Sequence, residues 1–307
     1  MEDTKSNNLI TGCLCALGCE IFFGLSYVFT KKATSNASTL SLLGWRFFIA
    51  FIVMSSLILF GFIKINLKNK EIKPLLLVAL FSPVIYFLGE TIGISNTTAS
   101  ESGVFLACIP VVSLVASTLI LNKKPSKRQV LGILITLVGV LITVLVVGRA
   151  SSFSVVGYLF LVIAVISYAL YSVFVEKASH YTGVEITYVM LAAGAIVFTL
   201  LAIGEGFVKG NIDVLLRLPF RDINFLIAIL YQGIGCSVIA FFLSNMAIAK
   251  IGVNRTSSFI GVSTVVSIIS GALLLHESFS IYQIMGAIII IIGVYISNVN
   301  STDDQQL

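Results

Sequence analysis

Three charged side chains interrupt stretches of sequence that are otherwise apolar: Glu20, Arg46 and Glu90. An unpaired charge in hydrocarbon costs about 3 kcal/mol on insertion scales, so such residues usually face a partner, a cavity or a substrate path. Glu20 lies about ten residues, or ~15 Å of helix, from each end of its apolar run. It is a candidate for binding a substrate amine or a proton. The alternative is a protonated carboxyl that is hydrogen-bonded within the bundle.

Arg46 and Glu90 fall in the same half of two consecutive apolar runs. Opposite charges on neighbouring helices can offset much of the cost of burial, so we predict direct or water-bridged contact between them. In the alternative interpretation the two act separately, with Arg46 holding a substrate carboxylate and Glu90 an amine or a proton.

Polar and aromatic side chains inside the other apolar runs could complete a small-molecule site. Each of them alone is more often an interhelical hydrogen bond. Tyr27 is predicted to share a helical face with Glu20 and Gly24. The remaining candidates for substrate binding are Tyr86, Tyr168, Tyr171, Gln232, Asn245 and Thr264.

The chain offers little for covalent or metal chemistry. It lacks the H-E-x-x-H and G-x-S-x-G patterns, and its five cysteines lie in apolar runs with no histidine nearby. Aspartates occur only at positions 3, 213, 222, 303 and 304, outside the apolar runs. We therefore predict no catalytic residue, no metal and no cofactor. Two hypotheses compete with a site that binds and moves a small molecule. One is an intramembrane enzyme. The other is a non-transporting membrane receptor or scaffold, which would usually carry a larger soluble module.

Composition decides which elements position these residues. Of the 307 residues, 58% are hydrophobic and only 11% are charged, with a mean hydropathy of +1.06. Runs long enough to cross ~30 Å of hydrocarbon must be helical, because a helix satisfies its own backbone groups. The sequence predicts an all-α integral membrane protein with ten transmembrane helices near 9–30, 38–62, 74–94, 98–121, 128–147, 155–176, 184–205, 223–248, 255–275 and 280–298.

The loop charges set the orientation of these spans. With the N-terminus in the cytoplasm, the inner segments hold twelve lysines and arginines and the outer segments six. The positive-inside rule thus predicts that both termini are cytoplasmic in a multi-pass protein of the cell membrane. Because the net charge of +5 is explained by this asymmetry, it does not indicate nucleic-acid binding.

The second half of the chain repeats the first. Residues 105–142 align without a gap to 259–296 with thirteen identities in 38 pairs, and residues 12–34 align to 157–179 with eight in 23. The two halves are residues 1–150 and 151–307. Each holds five spans, an odd number, so the second half must be inverted relative to the first. The loop at 122–128 carries four positive residues and its repeat partner at 276–282 carries none, as inversion requires.

Prolines and glycines punctuate the spans. Pro83 and Pro110 are expected to kink the third and fourth helices, either as part of a gate or as static bends. Two glycine pairs spaced by seven residues lie on one helical face each, Gly132/Gly139 and Gly286/Gly293. They predict close helix packing, within the subunit or across a homodimer.

Several motifs resemble the EamA-type transporters of the drug/metabolite transporter superfamily, over nearly the whole chain. The second helix begins Gly44-Trp45-Arg46-Phe47-Phe48, the fourth contains Pro110, and residues 273–294 resemble the closing motif of the family. That motif contributes Glu277, Gln283, Gly286 and Gly293. The chain departs from the pattern at Asn122-Lys123-Lys124, where the first half lacks the glutamate, and at Thr264, where the ninth helix lacks a proline.

The resemblance implies a carrier that exports or imports an amino acid, a related metabolite or a drug through a central cavity by alternating access. Its partners would be that small molecule and the lipid bilayer. The resemblance does not identify the cargo.

Overall fold

The computed structural model describes residues 2–34, 37–68, 70–96, 105–106, 108–145, 154–275 and 281–298. In these ranges the regular structure is entirely helical, which confirms the predicted class. The helices are α1 (Glu2–Thr34), α2 (Thr39–Leu59), α3 (73–95), α4 (Ile109–Leu121), α5 (Lys127–Leu145), α6 (Val155–Lys177), α7 (Gly183–Val208), α8 (Ile212–Arg221), α9 (Ile223–Ser258), α10 (Ile260–Leu275) and α11 (Ile281–Asn298).

Six of these helices are long and apolar enough to cross a membrane. Their apolar stretches are Asn7–Thr34, Thr39–Leu59, Lys73–Gly93, Val155–Lys177, Gly183–Val208 and Ile223–Ser258. Three shorter apolar helices accompany them in the described ranges: Ile109–Leu121, Ile260–Gly271 and Ile284–Asn298. The protein is therefore a multi-pass membrane protein.

Side-chain caps explain where several helices begin. Ser38 accepts a hydrogen bond from the Ser41 amide at the start of α2, and Ser154 accepts one from Gly157 before α6. Thr182 and Glu185 form a reciprocal capping box at the start of α7. Each cap satisfies backbone donors that a helix leaves unpaired in its first turn, so the caps fix where the spans enter the bundle.

Two long helices are irregular in the middle. In α3 a π-helical turn, Leu80–Ile85, contains Pro83 and the non-helical residue Ser82, so the predicted bend of the third span is present. In α9 a π-helical segment, Tyr231–Ala240, precedes a break at Gly252, whose φ is 77°. Pro110 lies in the first turn of α4, where its missing N–H costs nothing. Residues 97–104 and 107, which belong to or precede the predicted fourth span, lie outside the described residues, so the kink there stays a prediction.

The glycine faces predicted from the sequence lie between the two halves of one subunit. A Cβ on Gly132 would stand 2.6 Å from the carbonyl oxygen of Gly293, and a Cβ on Gly139 would stand 2.8 Å from that of Gly286. The backbones of α5 and α11 are therefore in direct contact, as small residues in membrane helices allow. This decides between the two uses of the glycines, since these faces are not available to a homodimer.

Other helix contacts also join one half to the other. Helix α2 packs on α7, where a Cβ on Gly44 would stand 2.8 Å from that of Ala202. Helix α3 packs on α6, and α1 packs on α9 and α10. The pairs α2–α7 and α5–α11 each join helices that occupy the same place in the two repeats. The two halves interlock, so residues of both surround the interior.

Ion pairs and hydrogen bonds gather several segments at one end of the bundle, which we call the basic end (residues 2–8, 60–68, 70–72, 122–126, 177–182 and 249–253). Lys70 pairs with Glu185 at 2.9 Å, which joins the α2–α3 loop to α7. Glu176 at the end of α6 pairs with Lys123 and also accepts the Val253 amide, 2.7 Å away, beside the Gly252 break. One carboxylate thus holds three segments together.

The short helix α8 was not predicted from the sequence, which assigned residues 206–222 to a loop. Its residues Leu215 and Leu218 are buried, and Leu218 packs with Leu42 and Phe225. The indole of Trp45 donates a hydrogen bond to the Leu215 carbonyl at 3.0 Å. It covers the starts of α2 and α9 at the end opposite the basic end. A ten-residue helix with an interrupting Pro219 lacks the long apolar run by which the spans were recognised.

We predict that Gly132→Ala destabilises the bundle, because the new methyl group must push α5 away from α11. Overpacking of this kind typically costs about 1–3 kcal/mol. Thermal unfolding of the detergent-purified protein measures the effect. Gly204→Ala is the matched control, since Gly204 lies on α7 with no neighbour within 4 Å. Equal melting temperatures for the two variants would contradict the close α5–α11 contact.

Candidate functional site

Arg46 of α2 is buried among residues of α9 and α3. Only 5% of it is exposed. Its Nε donates to the Ser237 hydroxyl at 2.8 Å, and one terminal nitrogen, Nη1, is 3.4 Å from Oε1 of Gln232. Both partners lie on the π-helical segment of α9, a kind of irregularity that is frequent at functional sites. The segment turns two polar side chains toward the guanidinium.

The remaining terminal nitrogen of Arg46, Nη2, is buried and has no hydrogen-bond partner among the described residues. The guanidinium lies over two aromatic rings, 4.7 Å from the centroid of Phe87 and 5.3 Å from that of Phe47. Cation–π contacts partly offset the loss of water, but they do not satisfy the N–H groups. The arrangement leaves one charged donor available for an anionic group.

Of the two contacts predicted for Arg46 and Glu90, the direct one is wrong, and the water-bridged one stays a prediction. Among the described residues, the ion pairs within 4.0 Å do not include these two. Glu90 instead accepts a hydrogen bond from the hydroxyl of Tyr86, one turn earlier on α3, at 2.9 Å. The carboxyl remains close enough to interact electrostatically with Arg46. Local partners on α9 meet part of the hydrogen-bonding need of Arg46, and Tyr86 on α3 donates to Glu90. Sequence spacing alone could not reveal these partners.

A row of aromatic rings connects the surroundings of Arg46 with the other half of the protein. Phe87 meets Tyr86 at 5.0 Å between centroids, Tyr86 meets Tyr168 at 5.6 Å, and Tyr168 meets Tyr171 at 5.5 Å. All three contacts are edge-to-face, the geometry that aromatic quadrupoles favour. The predicted residues Tyr86, Tyr168 and Tyr171 are thus brought together across α3 and α6.

Two of the predicted polar residues are already satisfied by the protein. The Asn245 amide donates to Thr187 at 3.0 Å and accepts from the Tyr171 hydroxyl at 2.8 Å. Gln232 donates to Thr30 at 2.8 Å while its oxygen faces Arg46. Asn245 therefore fastens α9 to α6 and α7, and Gln232 fastens it to α1 and α2. These side chains hold the site in place and have little capacity left for a ligand.

Glu20 of α1 is 5% exposed and lies at the contact with α10, beside the hydroxyl of Ser263. The close approach depends on Gly24, where a Cβ would stand 2.7 Å from the Ser263 carbonyl oxygen. The carboxyl also interacts electrostatically with Tyr168 and Tyr171. Glu20 and Arg46 thus stand near opposite ends of the aromatic row.

The side chain of Thr264 on α10 is half-buried, and its role in substrate binding stays a prediction. The face of α10 that carries Gly261 turns toward α5 and α11, against Thr136 and Ile290. The neighbouring Ser263 faces Glu20, a difference of one residue. The neighbours that α10 meets depend on its packing against α1, α5 and α11, which cannot be read from helical periodicity. The side chain of Tyr27 lies outside the described residues.

Sequence reasoning missed Ser237 and Ser263. Ser244 is buried and lies between α6 and Cys19 of α1, 3.3 Å from the Tyr171 hydroxyl. Small hydroxyl residues are common in membrane helices, so their type carries little signal. Among the described residues, no group of three His, Cys, Asp or Glu could hold a metal ion. The cluster offers a cation, a carboxyl and aromatic rings, which suits binding.

The comparison with known proteins identifies the family of the chain. The EamA-like transporter family matches residues 10–145 and again residues 155–299. The chain belongs to the EamA-like transporter family. Its membership confirms the resemblance read from the sequence and points to a transporter of small molecules, not an enzyme.

Individual relatives cover most of the chain. An uncharacterized transporter, YcxC, of Bacillus subtilis is 33% identical over 279 residues, 90% of this chain and 89% of that protein. Another from the same organism, YyaM, is 26% identical over 91% of this chain and 90% of its own length. A solved structure described only as a crystal structure of a protein superposes with a TM-score of 0.75 at 16% identity, over 93% of this chain and 96% of that one. That likeness supports the fold.

We predict that Asn245→Ala lowers the stability of the folded transporter, because it strands the buried hydroxyls of Tyr171 and Thr187. A buried polar group left without a partner costs about 1–3 kcal/mol. Asn224→Ala, at an exposed position in the first turn of α9, is the matched control. Thermal unfolding of both variants measures the difference. An unchanged melting temperature for Asn245→Ala would show that the network contributes nothing.

Proposed function

We propose that this EamA-family protein is a carrier that moves an amino acid, a related metabolite or a drug across the cell membrane by alternating access through a central cavity. The observation that carries the proposal is the buried Arg46 guanidinium with one unpartnered nitrogen. A charge in the interior of a membrane protein lowers the stability of the fold. A charge that is kept there therefore usually marks a substrate or ion path. Transporter relatives in Bacillus subtilis agree with a location in the plasma membrane.

The proposed topology has ten spans in two inverted halves, 1–150 and 151–307, with both termini in the cytoplasm. Two observations support it. The family matches the chain twice, with boundaries near the middle. The inner segments that hold most of the positive charge also meet at the basic end, through contacts such as Lys70–Glu185 and Lys123–Glu176. The positive-inside rule places that end in the cytoplasm.

A reporter that is active only in the cytoplasm tests this topology. We expect a strong signal when it is inserted in the loop at 122–126 and none when it is inserted at 276–280. These loops are repeat partners, and inversion puts them on opposite sides of the membrane. An insertion at 178–182 serves as a second cytoplasmic control. Equal signals at 122–126 and 276–280 would rule out inverted halves.

We assign the carboxylate of the substrate to Arg46. The free nitrogen of the guanidinium supplies a charge-assisted hydrogen bond, which is stronger than a neutral one. The neighbouring rings of Phe87, Tyr86 and Tyr168 supply an apolar surface for the body of the molecule. Glu20, near the far end of this row, is the candidate for an amine or for a transported proton.

Arg46→Gln should reduce binding and transport of an anionic or zwitterionic substrate by about tenfold or more, because a charged hydrogen bond is lost. The ligand is first selected by a thermal-shift screen of amino acids, nucleosides and cationic drugs. Uptake into liposomes then measures transport. Arg128→Gln removes the same charge from the exposed start of α5 and is the control. Equal transport by Arg46→Gln and Arg128→Gln would remove Arg46 from the substrate site.

Glu20→Gln keeps the shape of the side chain and abolishes its titration. If Glu20 carries a proton or holds a substrate amine, this variant should lose the pH dependence of transport while remaining folded. The measurement is liposome flux between pH 5.5 and 8.5, with thermal unfolding as the check on folding. Glu71→Gln, in the loop at the basic end, is the matched control. Transport by Glu20→Gln with the wild-type rate and pH profile would make Glu20 a structural residue.

A further inference from the structure

The short helix α8 has three faces of different chemistry. Leu215, Leu218 and Pro219 are buried against the bundle. Leu216 and Phe220, four residues apart, form an apolar stripe that is 54% and 87% exposed. Arg217 and Arg221, also four apart, form an exposed basic stripe directly beside it. Residues at this spacing are neighbours on a helix surface.

This pattern is that of a helix lying flat in the boundary between lipid and water. Such helices place an apolar face in the acyl region and a basic face among the headgroups. The position of α8 fits, because it joins the end of α7 to the start of α9, where two membrane-spanning helices emerge. Exposed Phe207, Val208 and Ile223 at these junctions extend the apolar surface.

The two guanidinium groups are available for an external anion. The ion pairs among the described residues involve neither Arg217 nor Arg221. Guanidinium binds phosphate oxygens through paired N–H groups, so two of them on adjacent turns suit a phosphodiester. We propose that α8 binds an anionic phospholipid, with Arg217 and Arg221 on the phosphate and with Leu216 and Phe220 against the acyl chains.

Lipid bound here would act on the helix that carries Arg46. Trp45, the preceding residue, holds the backbone of α8 through its bond to the Leu215 carbonyl. Trp45 is also the only tryptophan in the sequence. Its fluorescence therefore reports on this junction alone. The proposal depends neither on the orientation in the membrane nor on the cargo.

The test titrates the full-length protein in neutral detergent with phosphatidylglycerol brominated on its acyl chains, with brominated phosphatidylcholine as the uncharged lipid. We expect phosphatidylglycerol to quench Trp45 fluorescence at a much lower lipid fraction than phosphatidylcholine does. The double variant Arg217→Gln/Arg221→Gln should raise the phosphatidylglycerol midpoint by about tenfold or more, because each cation near a lipid surface contributes to anionic binding. Lys64→Gln/Lys68→Gln removes the same charge at the basic end and should leave the midpoint unchanged.

Three outcomes would overturn the proposal. The first is equal quenching of wild-type Trp45 fluorescence by the two lipids, and the second is an unchanged phosphatidylglycerol midpoint in the Arg217→Gln/Arg221→Gln variant. The third is a change in Trp45 emission caused by inorganic phosphate alone at the same concentration as phosphatidylglycerol, which would make the site one for a free anion. Arg217→Lys/Arg221→Lys keeps both charges and must keep a preference for phosphatidylglycerol, which tests the proposal even if the glutamine variant fails to fold.

Discussion

The cost of keeping a charge away from water governs the interior of this protein. A guanidinium buried in a helical bundle needs partners for its donors, and the bundle supplies them for Arg46 only in part. Ser237 and Gln232 occupy two of its nitrogens, and the rings of Phe47 and Phe87 cover its faces. The third nitrogen is left open. The helices around Arg46 hold these partners in place and leave one of its nitrogens without a partner.

That support comes from both halves of the chain. Arg46, Phe87 and Tyr86 belong to the first half, whereas Gln232, Ser237 and Tyr168 belong to the second. Glycines at the crossings let the helices of the two halves approach until their backbones touch, as at Gly132 and Gly293. Because the contact surfaces join the halves, a movement of one half against the other would change the surroundings of Arg46. The alternating access that we propose fits this construction.

The helical class, the bounds of most helices and the three charges in the apolar runs could be read from the sequence, because composition and hydropathy determine what can lie in lipid. The tyrosines Tyr86, Tyr168 and Tyr171 were also found, since aromatic hydroxyls are conspicuous in apolar runs. The partners of the charges could not be found in this way. Arg46 meets Ser237 through a π-helical segment, and Glu20 meets Ser263 where Gly24 lets α1 approach α10 closely. Neither contact follows from the spacing of residues along the chain.

The central claim is that Glu20 and Arg46 serve one substrate site built from both halves. It is tested most directly with a ligand that raises the melting temperature of the purified wild-type protein. The account predicts that Glu20→Gln and Arg46→Gln each fold normally yet lose most of that ligand-induced rise, because each removes one end of the same site. Full stabilisation of either variant by the ligand would contradict a shared site.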